Sequence, residues 1–368
     1  MNIFIGPLLL ITLVTIEFLV IKFIRKEEIP WDEVTMNLNS GHILMWVFRG
    51  GELFAYYYIF SHFSFNLLSE WNMYLVVFFA FISWDFCFYW LHRLHHKIKL
   101  FWYVHEVHHQ GEHFNISLGI RNSWFSSITS LPFFVPLALI GVSAEVFLFV
   151  SSIHYFVQFY NHTSLVKNSG FLEVFMVTPA LHKVHHAINP EYIDKNCGGT
   201  FNIWDRIFGT YQPQIKEVPL KLGLLKKYNS SNPFLMNILP FYKVKDVKQK
   251  VNNSFLLYVA SLITFSILVI YIYMESFMSV GLKVQLFLSI FFSTIAIGGM
   301  FRNKIWAITL WILISIFYNW TLLYWYNIQE ISLIVTFSIL TIFSIFLLRK
   351  NKYNYKSLFE NIHLIIKK

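Results

Sequence analysis

The sequence has little charge and almost no cysteine for a chain of 368 residues. Asp, Glu, Lys and Arg make up 13% of it, about half of the roughly 25% found in soluble domains. The two cysteines, Cys87 and Cys197, are far apart in the chain. Their spacing excludes a disulfide framework and does not indicate a thiolate metal site.

Apolar and aromatic residues are abundant instead, at 56% and 20% of the chain. A membrane-spanning helix needs a run of about 20 apolar residues. Nine such runs occur, near 3–24, 42–68, 72–91, 124–142, 144–163, 255–274, 284–300, 305–326 and 331–348. The first lacks the basic start and small-residue cleavage site of a signal peptide, so it is interpreted as a retained helix. The sequence therefore predicts an all-α, polytopic membrane protein.

The positions of the basic residues support this topology. Of the 29 Lys and Arg residues, 27 lie in the loops and tail that nine spans place on one side, and the exceptions are Arg49 and Lys283. The positive-inside rule puts that side in the cytoplasm. Because no nucleic-acid-binding motif accompanies the net charge of +9, the charge is interpreted as a topology signal, and no nucleic-acid partner is expected.

The spans divide the chain into two regions. Residues 1–254 hold five spans and a large, histidine-rich cytoplasmic cap, and are predicted to be the catalytic region. Residues 255–368 hold four spans and a basic tail, with few ionisable groups in the spans.

Histidine carries the strongest signal. The pattern H-x-x-H-H occurs three times, at His92–His96, His105–His109 and His182–His186, whereas about 0.02 matches are expected by chance from the frequency of histidine in this chain. On a helix, positions i, i+3 and i+4 share one face, so each motif can aim two or three imidazoles at one point. Neutral imidazole binds zinc, copper, iron or nickel.

The number of these histidines indicates two metal ions, since a single zinc site uses four ligands. The candidate ligands are His92, His96, His105, His108, His109, His182, His185 and His186. His162 is a ninth candidate, because it emerges at the end of the fifth span where it could reach the motifs. His95 and His154 are open, and the identity of the metal is open as well.

Acidic residues near the motifs are candidates for supporting roles. Asp85 lies two helical turns before His92, where an acid is costly in lipid unless it pairs or serves a site. We expect it to accept the second N–H of a ligand histidine and so fix the tautomer of that ring. Glu106, Asp194 and Asp205 are weaker candidates, with solvated loop acids as the alternative.

These motifs resemble the membrane-bound fatty acid hydroxylase and sterol desaturase superfamily over roughly residues 75–212. The resemblance includes Asp85 and the first two histidine motifs, Asn161-His162-Thr163, Thr178-Pro179 with the third motif, Asp194-Lys195-Asn196-Cys197-Gly198-Gly199, and Trp204-Asp205-Arg206-Ile207-Phe208-Gly209-Thr210. Together with the extra C-terminal spans, they are most similar to the alkylglycerol monooxygenase branch.

The resemblance implies a non-haem di-iron centre that uses O₂ to hydroxylate or desaturate a lipid C–H bond. The implied ligands are the eight motif histidines, with His162 as a possible ninth. The catalytic candidates in the sequence are Asp85, Glu106, Asp194 and Asn196. In the alkylglycerol branch the reaction cleaves ether lipids with electrons from tetrahydrobiopterin. The chain shows no electron-carrier domain, so the donor is expected to be external, and zinc is expected to replace iron in some purified samples.

Two groups of alternatives stay open. Within the oxygenases these are sterol, fatty-acid or carotenoid hydroxylases and desaturases. In other classes they are a metal transporter and a zinc-stabilised structural membrane protein. Transporters place ligands near the bilayer midplane, whereas here the motifs lie at span ends. The expected location is the inner membrane of a bacterium, with the active site facing the cytoplasm and the lipid substrate reached from the bilayer.

Overall fold

The computed structural model describes residues 5–225, 232–242, 255–302 and 304–324, together with residues 338 and 342. Over these residues the regular secondary structure is helical, and the extended pairings are two isolated bridges, Met176–Phe201 and Ala187–Leu222. The predicted all-α fold class is confirmed.

Thirteen α-helices occur in the described residues. They are α1 (Ile5–Leu19), α2 (Trp31–Asn39), α3 (His42–Phe63), α4 (Met73–Lys97), α5 (Lys99–His109), α6 (Ser126–Ile140), α7 (Ala144–Asn161), α8 (Pro179–His185), α9 (Ile203–Ile207), α10 (Pro233–Ile238), α11 (Phe255–Met274), α12 (Val280–Phe301) and α13 (Ile305–Tyr324). A π-helical turn, Val20–Ile24, extends α1, and short 3-10 helices lie at Ile116–Ile120, Gly170–Val174, Leu239–Phe241 and Glu275–Phe277.

Helices occupy eight of the nine predicted spans, namely α1, α3, α4, α6, α7, α11, α12 and α13. Among the described residues, three helical stretches are long and apolar enough to cross a membrane: Met73–Lys97, Leu257–Phe277 and Val280–Phe301. They indicate an integral membrane protein. The ninth predicted span, 331–348, lies outside the described residues except for positions 338 and 342. The count of nine crossings and the cytoplasmic cap stay predictions.

The chain forms two compact units. The first consists of Met1–Ser230 and Leu235–Val247, and the second of Ser231–Phe234 and Lys248–Lys368. The first unit contains all three histidine motifs. The predicted functional division into 1–254 and 255–368 stays a prediction.

Helix α4 carries the first histidine motif at its C-terminal end. Its N-terminus is capped by Asn72, whose side chain accepts a hydrogen bond from the N–H of Leu75 at 3.0 Å, which satisfies one of the N–H groups left free at a helix start. The helix stops at Ile98, which has an extended backbone, and α5 begins at the next residue. This break changes the chain direction between the first and second histidine motifs.

The core of the first unit fixes α4 against its neighbours. Trp84 of α4 is fully buried, and its ring stacks on Phe134 of α6 and His154 of α7, with centroid distances of 4.9 and 4.4 Å. In the same core, Tyr56 of α3 stacks on Phe147 of α7 at 4.2 Å. These aromatic contacts set the orientation in which α4 presents its histidines.

Replacing Trp84 tests this packing. Trp84→Ala removes a fully buried ring, and we expect it to destabilise the protein by about 3–5 kcal/mol because the cavity is lined by rigid helices. The measurement is thermal unfolding in detergent. The control is Phe78→Ala on the same helix, a side chain that is 66% exposed. An equal fall in Tm for both variants would contradict the assignment of the core.

Candidate metal centre

The nine candidate ligands converge in the structure as two groups. The five-histidine group consists of His92, His96, His105, His109 and His185. The four-histidine group consists of His108, His162, His182 and His186. Within each group, one ligand nitrogen from every residue lies within 4.8 Å of the others. Because nine histidines exceed the needs of one ion, the two groups could hold one metal ion each.

The second and third motifs each contribute to both groups. On α5, the first and last histidines of the motif join the five-histidine group, and His108 joins the four-histidine group. In the third motif, which lies on α8 and its C-cap, His182 and His186 join the four-histidine group, and His185 joins the five-histidine group. Adjacent helical residues are rotated by about 100°, so neighbouring histidines point into neighbouring sites. The two groups touch, since the rings of His109 and His186 have centroids 4.4 Å apart.

The distances between ring nitrogens match metal ligation. Neighbouring Nε2 atoms are 2.9 to 3.2 Å apart in the pairs His92–His105, His105–His109, His108–His162, His162–His182 and His182–His186. A ligand nitrogen lies about 2.0–2.1 Å from a bound zinc ion, so two ligands at a right angle would be about 3.0 Å apart. The spacing is therefore that of neighbouring ligands around one ion.

Backbone carbonyls orient four of these rings. The Nδ1–H groups donate from His92 to Cys197 at 2.8 Å, from His108 to Arg121 at 2.8 Å, from His162 to Gln158 at 2.7 Å and from His185 to Lys195 at 2.7 Å. With the proton assigned to Nδ1 by this hydrogen bond, Nε2 presents its lone pair to the interior of the group. Metal-binding histidines are held in this way by a partner on the other ring nitrogen.

The hydrogen bonding and the pKa values of these histidines also fit a role as metal ligands. Within the described residues, the buried Nε2 atoms of His96 and His185 have no hydrogen-bond partner, a state that costs about 1–3 kcal/mol for each group unless a metal uses the lone pair. Burial and neighbouring imidazoles lower the pKa values of His105, His109 and His186 well below the usual 6.5. The neutral form, which is the form that binds metals, is therefore favoured.

The structure does not bring Asp85 to a ligand histidine as predicted, because the carbonyl of Cys197 takes the N–H of His92. Asp85 is fully buried in α4. It accepts hydrogen bonds from the N–H groups of Thr200 and Phe201, at 2.8 and 3.1 Å, and from the indole of Trp204, at 2.9 Å. The carboxylate thus anchors the segment that follows Cys197.

A second buried acid holds the other end of the same segment. Asp205 accepts hydrogen bonds from the N–H groups of Cys197 and Gly198, at 2.7 and 2.9 Å. A Cβ atom added at Gly199 would lie 2.7 Å from the ring of Phe88, so the segment also has no room for larger residues. The two carboxylates thereby position the Cys197 carbonyl and, through it, the ring of His92.

The remaining predicted acid sites differ in position. Asp194 is the acid beside a ligand histidine: its Oδ1 lies 3.5 Å from Nδ1 of His96, and its Oδ2 accepts from Lys97 at 2.6 Å. Hydrogen bonding to His96 and Lys97 lowers the pKa of Asp194 to about 2. Glu106 is buried on α5, and burial raises its pKa to about 7. It stays a catalytic candidate.

Asn196 acts as a link between backbone segments. Its amide donates to the carbonyls of Leu181 and Gln212, at 3.0 and 2.7 Å, and its Oδ1 accepts from the N–H of Gln212 at 2.9 Å. Asp194 and Asn196 both have left-handed backbone conformations, with φ of 61° and 53°, which these residue types tolerate. The resulting turn presents the carbonyl of Lys195 to His185, so the geometry supports a scaffolding role for Asn196.

The other histidines near the motifs lie outside both groups. His95 directs Nε2 to the hydroxyl of Thr129 at 3.0 Å. His154 is buried between helices, with its ring nitrogens 2.6 Å from the Thr200 hydroxyl and 2.9 Å from the Phe81 carbonyl. These hydrogen bonds indicate packing roles for both residues, which lie outside the two histidine groups.

The structure thus defines two adjacent histidine groups that could hold metal ions, built on helices of an integral membrane protein. Residues 77–210 match the family model described as Fatty acid hydroxylase. The resemblance to this family that the histidine motifs indicated is therefore confirmed over this segment.

Curated relatives agree with this family. The alkylglycerol monooxygenase of Danio rerio is 41% identical over 173 residues, covering 46% of this chain and 38% of the relative. That of Homo sapiens is 35% identical over 223 residues, covering 58% and 48%. An ornithine lipid hydroxylase of Rhizobium tropici is 27% identical over 161 residues, covering 43% and 48%. The match therefore spans less than half the length of these relatives. No solved structure matches the chain.

Single histidine substitutions test the division into groups. We expect His105→Ala to lower the metal content from about two ions to about one and to abolish turnover, because a buried ligand is lost while the other group remains. The protein is expected to stay in the membrane. The matched control is His95→Ala, which changes the same residue type outside both groups. Elemental analysis of purified protein makes the measurement, and full metal content in His105→Ala would contradict the assignment.

Substituting the two buried acids tests the indirect support of His92. Each substitution, Asp85→Asn or Asp205→Asn, replaces one acceptor oxygen with an NH₂ group. This donor faces a backbone N–H, which is also a donor, so a hydrogen bond is lost and the Cys197 carbonyl is expected to shift. We expect metal affinity of the five-histidine group to fall about 10- to 100-fold, as for other partners of metal ligands. Metal titration measures this, with Glu191→Gln, an exposed acid, as control. Unchanged affinity in both acid variants would disprove this positioning role.

Proposed function

We propose that this protein is a membrane-bound lipid monooxygenase with one iron ion in each histidine group. The observation that carries the proposal is the pairing of five and four histidines in adjacent groups, within a fatty acid hydroxylase domain. The preferred reaction is the cleavage of an ether lipid of the alkylglycerol type, in keeping with the named activity of the relatives.

The proposed reaction is a monooxygenation of a lipid. The pair of iron ions, when bound, supplies the activation of O₂ that inserts one oxygen atom into a lipid C–H bond. The reaction consumes one O₂, two electrons and two protons, and it releases the second oxygen atom as water. Hydroxylation of the carbon beside an ether oxygen gives a hemiacetal, whose C–O bond breaks to yield a fatty aldehyde and a glycerol derivative.

The residues around the histidines exclude water from this chemistry. Phe114 lies 5.8 Å from the ring of His162 and 5.7 Å from that of His186, measured between centroids. On the five-histidine side, Trp102 lies 5.2 Å from His96. Aromatic walls of this kind keep the centre dry and leave apolar surface for an acyl chain. The histidines contribute orientation and electronics, and the metal performs the oxidation.

The position of the histidines along the helices favours an oxygenase over a metal transporter. His92 and His96 lie in the last two turns of α4, and the other candidate ligands belong to shorter helices or to the C-caps of α7 and α8. Transporter sites instead cluster near the middle of spanning helices. A zinc-stabilised structural protein is the remaining alternative, because the same nitrogen donors accept zinc.

The proposal includes the wider organisation of the chain. Residues 1–254 form the catalytic region with a cytoplasmic cap, residues 255–368 form a membrane region, and nine spans place the active site at the cytoplasmic face of a bacterial inner membrane. The support is the asymmetry of charge, with 27 of 29 basic residues on one predicted side. Electrons are proposed to come from an external donor, with tetrahydrobiopterin as the first choice.

Turnover assays test this function. Purified protein reconstituted with ferrous iron is supplied with O₂, tetrahydrobiopterin and, in separate samples, an alkylglycerol, a fatty acid, a sterol or an ornithine lipid. We expect fatty aldehyde from the alkylglycerol alone, and incorporation of one atom of ¹⁸O from ¹⁸O₂. His105→Ala serves as the inactive control. Hydroxylation of another substrate would reassign the branch, and inactivity with every lipid despite bound iron and supplied tetrahydrobiopterin would contradict the proposal.

A further inference from the structure

The first helix carries an acid that belongs to the surroundings of the metal centre. Glu17 lies in the apolar helix α1 and is fully buried. Its carboxyl group accepts hydrogen bonds from the N–H of Ile116 at 2.6 Å, the N–H of Ser164 at 2.5 Å and the hydroxyl of Thr163 at 3.2 Å. A buried acid in an apolar helix is costly without such partners, so these contacts explain its presence.

A second residue from the same N-terminal segment holds the same loop. Arg25 donates to the hydroxyl of Ser164 at 3.2 Å and to its carbonyl at 2.9 Å. The N–H of Ser164 is held by Glu17 and its C=O by Arg25, so both backbone polar groups of this residue are bound by the N-terminal segment. The loop that begins directly after His162 is therefore fixed from outside the histidine motifs.

The groups that donate to Glu17 belong to two segments that lie beside His162. Thr163 and Ser164 follow it in the chain, and Ile116 begins the 3-10 helix Ile116–Ile120. Gly119 of that 3-10 helix packs so closely on the imidazole that an added Cβ would lie 3.0 Å from Nδ1 of His162. The ring is thus enclosed between two segments that the Glu17 carboxyl joins.

His162 has a special place in the four-histidine group because it lies outside the three motifs and connects two of them. Its Nε2 lies 3.1 Å from Nε2 of His108 and 3.0 Å from Nε2 of His182. No motif spacing sets its position. The Gln158 carbonyl of its own helix orients the ring, and the two enclosing segments limit where the ring can lie. We propose that Glu17 is a positioning residue for His162, which makes the first helix a part of the metal centre.

This inference rests on the metal-binding part of the proposed function and not on the substrate. Its test is a titration of metal-free protein with Co²⁺ in detergent, read by visible absorption and by elemental analysis. In Glu17→Gln, one acceptor oxygen becomes a donor, so at least one flanking contact is lost. We expect Co²⁺ affinity of the four-histidine group to fall about 10- to 100-fold, and the five-histidine group to be unaffected.

The chain offers a matched control in Glu52. This acid is also buried in an apolar helix, α3, where it accepts from Ser130 at 2.6 Å and pairs with Arg49 at 2.6 Å. Glu52→Gln makes the same chemical change away from both histidine groups and is expected to leave both Co²⁺ affinities unchanged. In a His162→Ala background, Glu17→Gln is expected to cause no further loss, because the two changes act on one ligand.

Three results would overturn the inference. The first is an unchanged affinity of the four-histidine group in Glu17→Gln, and the second is an equal loss in both groups, which would indicate general destabilisation. The third is the absence of Co²⁺ binding in the wild type, which would overturn the proposed metal centre itself. If Glu17→Gln does not fold, Thr163→Val removes only one of the three contacts, and a smaller loss confined to the same group is expected.

Discussion

The burial of nine imidazoles with their ring nitrogens facing one another is the constraint on which the structure of this protein depends. Neutral rings at Nε2 separations of 2.9 to 3.2 Å gain little from each other, and desolvation opposes their protonation. A metal ion is the partner that satisfies such a set. The carbonyls of Cys197, Lys195, Arg121 and Gln158, which hold the Nδ1 atoms, are therefore as much a part of the site as the histidines themselves.

Helical geometry turns this constraint into two adjacent sites. Because adjacent residues on a helix differ by about 100°, each H-x-x-H-H motif on α5 and α8 serves both groups. The break at Ile98 between α4 and α5 allows the ring of His92 to meet that of His105. The Trp84 core holds α4 in place, and the buried carboxylates of Asp85, Asp205 and Glu17 hold the intervening loops. These acids position the candidate ligands through backbone contacts and lie outside both histidine groups.

Helical pattern and residue type made the fold class and the candidate ligands predictable, including His162 outside the motifs. The roles of the acids were harder to predict from the sequence, because Asp85 accepts a hydrogen bond from a loop 115 positions away in the chain. Backbone carbonyls such as that of Cys197 have no side-chain signature, so their part in orienting His92 could not be inferred. The motif makes Asn196 a catalytic candidate, and its contacts add a structural role that spacing does not show, since its hydrogen bonds tie backbone segments together. Long-range contacts of this kind depend on tertiary packing, which spacing does not encode.

Locating iron in the folded protein tests directly whether each histidine group holds one iron ion. Crystals of the iron-loaded enzyme, measured at the iron absorption edge, would give anomalous difference density at each metal position. We expect two peaks, one enclosed by His92, His96, His105, His109 and His185 and one by His108, His162, His182 and His186. A single peak, or two peaks outside these groups, would contradict it.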